Sequence, residues 1–92
     1  NAALIISGYY PGGITIVNDG YIVGANAYVK SDGSYVSPGN AIDVTTTNSC
    51  TIINNGTIAG GNSFNSGIDD GYGINGISHV TLTNNGTINS TN

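Results

Sequence analysis

One phrase occurs three times along this chain: ITIVNDGYIVGAN at residues 14–26, CTIINNGTIAGGN at 50–62 and VTLTNNGTINSTN at 80–92. The copies begin 36 and 30 residues apart, which indicates a protein built from internal repeats. In each copy, one short run rich in β-branched residues precedes an Asn-x-Gly corner and a second run follows it. That composition is typical of β-strands joined by tight turns.

A shorter apolar element precedes each copy. These elements read Leu4-Ile5-Ile6, Ala41-Ile42-Asp43-Val44 and Ile74-Asn75-Gly76-Ile77. The 92 residues therefore predict one domain of three similar units, at about residues 1–38, 39–72 and 73–92.

The repeated phrase is compatible with two folds. Asn55-Gly56 and Asn85-Gly86 between strand-forming residues are a signal for antiparallel hairpins. In a two-residue hairpin, however, Ile52 and Ile58 would face opposite sides, because paired residues share a face and neighbours along a strand alternate. A solenoid corner lets both point into one interior. We therefore favour a short parallel β-solenoid of about three coils, with the hairpin as the alternative.

The solenoid places equivalent residues above one another in columns. Two columns are apolar in every copy, and we expect their members to be buried together: Ile16, Ile52 and Leu82, and Ile22, Ile58 and Ile88. A third column is expected to hold Ile6, Ile42 and either Ile74 or Ile77. Stacked Asn side chains can bond between layers, which predicts a ladder of Asn18, Asn54 and Asn84. We expect Gly20, Gly56 and Gly86 to supply a positive φ at the corner.

Composition excludes several classes of protein. The chain has one basic residue among Lys and Arg, five acidic residues and a net charge of −4, which disfavours nucleic acid and anionic membranes as partners. Its longest apolar run, 2–6, is too short to insert into a membrane. Cys50 is the one cysteine, so no disulfide can form within the chain, and we expect it to be a small buried hydrophobe.

No pattern for catalysis is visible, so we expect neither an enzyme nor a bound cofactor or metal. His79 is the one histidine, and no G-x-S-x-G nucleophile phrase accompanies it. Asp69 and Asp70, with Asp32 or Asp43, offer oxygen ligands for Ca²⁺. They lack the spacing of calcium-binding repeats, and we interpret them as solvated turn carboxylates.

The phrases ITIVNDGYIVG, GNAIDVTTTNSCTIINNGTIAGG and VTLTNNGTIN resemble the C-terminal tip of phage tail host-specificity proteins, the protein-J-like central fibres of lambda-like siphophages. That resemblance covers nearly the whole chain. It implies a trimeric fibre end at the virion tail tip that binds a host outer-membrane protein or a surface glycan. The loops of that family are often near-continuous glycine, whereas residues 25–30 here are mixed.

Bacterial autotransporter-like β-helices use similar N-x-G-x-I phrases. The alternative is therefore a repeat segment of an adhesin on a bacterial cell surface. A homo-oligomer is also expected on physical grounds, since a domain this small buries little surface and a solenoid exposes strand edges at its ends. The resemblance to fibre ends implies that this oligomer is a homotrimer.

Two long segments rich in Gly, Asn and Tyr separate the units, at residues 24–40 and 60–73. Both leave from the same corner of successive coils, so we expect them to lie side by side. Tyr among small polar residues is typical of binding loops. The predicted receptor-binding residues are Tyr28, Lys30, Tyr35, Phe64, Asp69, Asp70 and Tyr72. Tyr35 and Tyr72 are the expected anchors, and the turn at Tyr9-Tyr10 is the alternative surface.

Overall fold

A computed structural model describes residues 2–46, 48–64, 69–76 and 79–90 of the chain. These residues form β-strands and no helix, so this part of the chain holds no helix that could cross a bilayer. The strands are β1 (Leu4–Ile6), β2 (Ile14–Asn18), β3 (Tyr21–Val23), β4 (Tyr28–Val29), β5 (Tyr35–Val36), β6 (Ile42–Val44), β7 (Cys50–Asn54), β8 (Thr57–Gly60), β9 (Ile74–Asn75), β10 (Val80–Asn84) and β11 (Thr87–Ser90).

Three parallel sheets each take one strand from every repeat. Their strand orders are β1-β6-β9, β2-β7-β10 and β3-β8-β11. The strands therefore stack in three layers: layer 1 is β1–β3, layer 2 is β6–β8 and layer 3 is β9–β11. This parallel, β-helix-like arrangement confirms the predicted all-β class, and the antiparallel hairpin is wrong for the repeated phrase.

The register of two sheets agrees with the predicted columns. Ile52 pairs with Ile16 on one side and Leu82 on the other, and Ile58 pairs with Ile22 and Ile88.

The third column differs from the prediction. Leu4, not Ile6, pairs with Ile42, which in turn pairs with Ile74, while Ile6 pairs with Val44. Leu4 and Ile6 both turn inward, because side chains two residues apart share a face, and Ile5 is exposed between them. Ile77 lies outside the described residues.

The buried core is concentrated in layer 2. Ile42, Ile52 and Ile58 are fully buried there, together with Cys50. The prediction that all six residues of the first two columns are buried together is wrong for layers 1 and 3. Ile16, Ile22 and Ile88 are half-buried and Leu82 is 46% exposed, because an outer layer has a neighbour on one side only.

Glycine is required at Gly56 and Gly86 because neighbouring layers lie close together there, and not because the backbone has a positive φ. The described glycines with positive φ are Gly8, Gly13, Gly33 and Gly76, so the expectation for Gly20, Gly56 and Gly86 is wrong. A Cβ atom on Gly56 would collide with the carbonyl oxygen of Gly20, and one on Gly86 with that of Gly56. Glycine therefore lets one layer approach the backbone of the layer before it.

A ladder of side-chain amides joins the three corners, as predicted. Asn18 Nδ2 donates to Asn54 Oδ1 at 2.8 Å, and Asn54 Nδ2 donates to Asn84 Oδ1 at 2.9 Å. The Oδ1 atom of Asn54 also lies 3.3 Å from the Gly56 N–H nitrogen, and its Nδ2 lies 3.0 Å from the Thr87 carbonyl oxygen. Asn54 is fully buried, so these bonds satisfy a side chain that water cannot reach.

We expect Asn54→Ala to lower the free energy of unfolding by about 2 kcal/mol or more, because it removes a fully buried amide that bonds to Asn18 in layer 1 and to Asn84 and the Thr87 carbonyl in layer 3. Asn84→Ala removes an exposed residue of the same ladder and is the matched control. Urea denaturation of both variants measures the difference. Equal losses would contradict the importance assigned to the buried amide.

Candidate binding surface

The two inter-unit segments are joined at their bases by backbone hydrogen bonds. Gly39 N–H donates to the Ala25 carbonyl at 2.8 Å, Gly61 N–H to the Gly39 carbonyl at 2.9 Å and Gly71 N–H to the Gly61 carbonyl at 3.0 Å. We call this series the stem ladder. Ala25 and Gly39 lie on the outgoing and returning legs of the first loop, and Gly61 and Gly71 lie on those of the second. The four legs therefore form a continuous hydrogen-bonded base.

Two positions of the stem ladder, 61 and 71, require glycine because the backbones of neighbouring legs are in contact there. A Cβ atom on Gly61 would collide with the Ala25 carbonyl, and one on Gly71 with the Gly39 carbonyl. Any larger residue at these positions would separate neighbouring legs.

A small hairpin forms the outer part of the first loop. Strands β4 and β5 pair antiparallel, with Tyr28 opposite Val36 and Val29 opposite Tyr35. The turn between them closes through Gly33 N–H to the Lys30 carbonyl at 2.9 Å, and Gly33 has a φ of 87°. Sequence reasoning missed this hairpin, although a Gly preceded by Asp between two Tyr-Val pairs is its usual signal.

Asp32 holds this turn through two short bonds. Its Oδ1 accepts from the Ser34 hydroxyl at 2.6 Å and from the Ser34 N–H at 2.9 Å. Both bonds favour the ionised form and lower the pKa of the Asp32 carboxyl below its ordinary value. The turn is therefore stabilised above the ordinary pKa of an aspartate, and this stabilisation is lost as the pH falls through the lowered value.

The first loop packs directly against the second, so the two lie side by side as expected. The rings of Tyr35 and Phe64 meet edge to face with their centroids 5.4 Å apart. The Tyr35 hydroxyl lies 3.2 Å from the Ser63 hydroxyl, within hydrogen-bonding distance. Nearer the stems, Ala27 N–H donates to the Asn62 carbonyl at 2.8 Å. These contacts make one continuous surface from two segments distant in sequence.

The predicted binding residues differ in how much of each side chain is exposed. Phe64 is 62% exposed and Tyr72 is 61% exposed, and Tyr28 is also exposed. Tyr35 is half-buried because part of its ring rests on Phe64.

The charged members of the set also differ in exposure. Lys30 is exposed in the hairpin turn, and Asp69 is exposed where the second loop returns. Asp70 is half-buried and accepts a hydrogen bond from Ser63 N–H at 2.7 Å, which fixes the two legs of the second loop to each other. Residues 65–68 lie outside the described part of the chain.

The alternative aromatic surface lies at another corner. Tyr9 and Tyr10 lie in the connection between β1 and β2, whereas the two long loops follow β3 and β8. Tyr9 is exposed, while Tyr10 packs against the core and its N–H donates to Asn48 Oδ1 at 2.8 Å.

The groups that could carry chemistry are dispersed. Cys50 is buried, and burial raises the pKa of its thiol, so it packs as a small apolar side chain. His79 is exposed immediately before β10. Within the described ranges, no three His, Cys, Asp or Glu side chains gather into a group that could hold a metal ion.

Comparison of the chain with protein-family models, with curated proteins and with solved structures finds no match.

We expect Gly71→Ala to lower the free energy of unfolding by about 1–3 kcal/mol, because the added methyl group cannot fit against the Gly39 carbonyl. Hydrogen exchange at the Gly61 and Gly39 amides should accelerate, since their legs would move apart. Gly12→Ala is the matched control, because a Cβ atom there meets nothing within 4 Å. Unchanged exchange in the Gly71 variant would contradict the stem ladder.

Proposed function

We propose that this chain is a non-enzymatic receptor-binding domain at the tip of a phage tail fibre, where it attaches the virion to a host outer-membrane protein or surface glycan. In this proposal residues 1–92 form one β-solenoid of three coils with two long loops. The observation that carries it is the joined loop surface, which displays Tyr28, Phe64 and Tyr72 from a base fixed by backbone bonds.

Physical chemistry supports binding by such a surface. Aromatic rings provide large contact areas at low cost in side-chain entropy, and small polar neighbours supply adaptable hydrogen bonds. A stacked core keeps the loops in place, so less order is lost when a partner binds. Attachment requires affinity alone, and display of several copies on one fibre multiplies weak contacts.

We propose that three copies associate at the fibre tip. A domain of 92 residues buries a small fraction of its surface, and association of three copies adds to that fraction. Light scattering at micromolar concentration should give about three times the mass of the 9.2 kDa chain. A stable 9.2 kDa monomer would contradict the trimer.

The second candidate function is a repeat segment of a bacterial surface adhesin. The observation that favours it is the 46% exposure of Leu82, an inward-facing residue that a further coil of a longer solenoid would cover. In that case the chain would act at the bacterial cell surface, with the same loops available for contact.

Adsorption of phage particles to host cells tests the leading proposal. We expect Tyr72→Ala in the fibre to slow adsorption at least tenfold, since truncation of an aromatic anchor at an interface centre commonly costs about 2 kcal/mol or more. Tyr21→Ala is the control, because Tyr21 is 82% exposed but lies on β3, outside both loops.

Replacement of both loops beyond the stem ladder by short Gly-Ser turns should preserve the parallel sheets and abolish adsorption. Normal adsorption by that variant would place the binding surface elsewhere, with the turn at Tyr9-Tyr10 as the next candidate.

A further inference from the structure

A second ladder of side chains runs along the outside of the same corner. Asn85 Nδ2 donates to Asn55 Oδ1 at 2.9 Å, and Asn55 Nδ2 donates to Asp19 Oδ1 at 2.8 Å. We call residues 19, 55 and 85 the outer ladder. Each of its amides donates towards the layer before it, so the chain of bonds begins in layer 3 and ends on the carboxylate of Asp19.

The inner ladder of Asn18, Asn54 and Asn84 runs in the opposite direction. There each amide donates towards the layer after it. The two ladders therefore present defined groups at each end of the stack. At the layer 3 end, the ladders finish with the side-chain atoms Asn84 Nδ2, a donor, and Asn85 Oδ1, an acceptor. At the layer 1 end, they finish with two acceptors, Asn18 Oδ1 and the second carboxylate oxygen of Asp19.

These groups determine whether a second copy can stack layer 1 onto layer 3 of the first. The inner ladder would continue, because Asn84 Nδ2 could donate to Asn18 Oδ1 of the next copy. The outer ladder would not continue. Asn85 Oδ1 would face a carboxylate oxygen of the next copy's Asp19, and two acceptors would meet with no proton between them. Removing that charge from water without a donor is strongly unfavourable.

We propose that Asp19 prevents copies of this chain from stacking head to tail. Where layers do stack, the equivalent residues are Asn55 and Asn85, whose amides supply the donor that Asp19 lacks. This effect of Asp19 arises at the corner alone and is independent of receptor binding.

The neighbouring residues leave Asp19 as the group that opposes stacking at this corner. A Cβ atom on Gly20 would meet nothing within 4 Å, so the backbone there has room for the close approach that Gly56 and Gly86 make. Leu82 presents an apolar side chain at the other end of the stack. Exposed parallel edges with these features would otherwise pair from copy to copy.

The test is Asp19→Asn, which keeps the acceptor for Asn55 and adds the missing donor. Circular dichroism should show an unchanged fold. Sedimentation velocity and light scattering should show a mass that grows with concentration to more than ten times that of the wild type, and electron microscopy should show filaments. The wild type should keep one closed mass at the same concentrations.

Asp32→Asn is the matched control, because it removes the same charge from the hairpin turn, which belongs to neither ladder. Adding Leu82→Lys to Asp19→Asn should stop filament growth, since it places a charge at the opposite face of the same junction. An Asp19→Asn mass equal to that of the wild type would overturn the proposal. Equal growth in Asp32→Asn would overturn it too, because net charge would then be the cause.

Discussion

The side-chain amide of Asn54 fixes how the layers lie on one another. It is buried between two other asparagines, and it accepts a hydrogen bond from Asn18 and donates one to Asn84. A slip of one residue in either sheet would leave this amide without partners in an apolar interior, at a cost comparable to a large share of a small domain's stability. The apolar columns and the close approach at Gly56 both follow from the register that Asn54 enforces.

The sequence predicts most of this register but not all of it. The columns through Ile52 and Ile58 follow from the repeated phrase, because the Asn-x-Gly corner anchors the count in each copy. No such marker fixes β1. A shift of two residues keeps the same side chains facing inward, so alternation cannot distinguish Leu4 from Ile6 as the partner of Ile42.

Glycine gives a similarly incomplete signal. Its lack of a side chain serves either a positive φ or a close backbone approach, and the letter alone does not tell which. At Gly56 the reason is the carbonyl of the layer before it, which becomes visible only when the layers are stacked. For the candidate surface, the common corner of the two loops predicts that they are adjacent. The packing of Tyr35 on Phe64 depends on the hairpin, which the repeat pattern does not contain.

The stem ladder separates two regions that respond differently to changes in sequence. Insertions or deletions within residues 28–38 or 64–69 should leave the four legs bonded to one another, because each loop closes at its own base before it reaches the layers. The outer parts of the loops can therefore exchange length and side chains independently of the core. A scaffold with this property can acquire a new contact surface without changing how its strands stack.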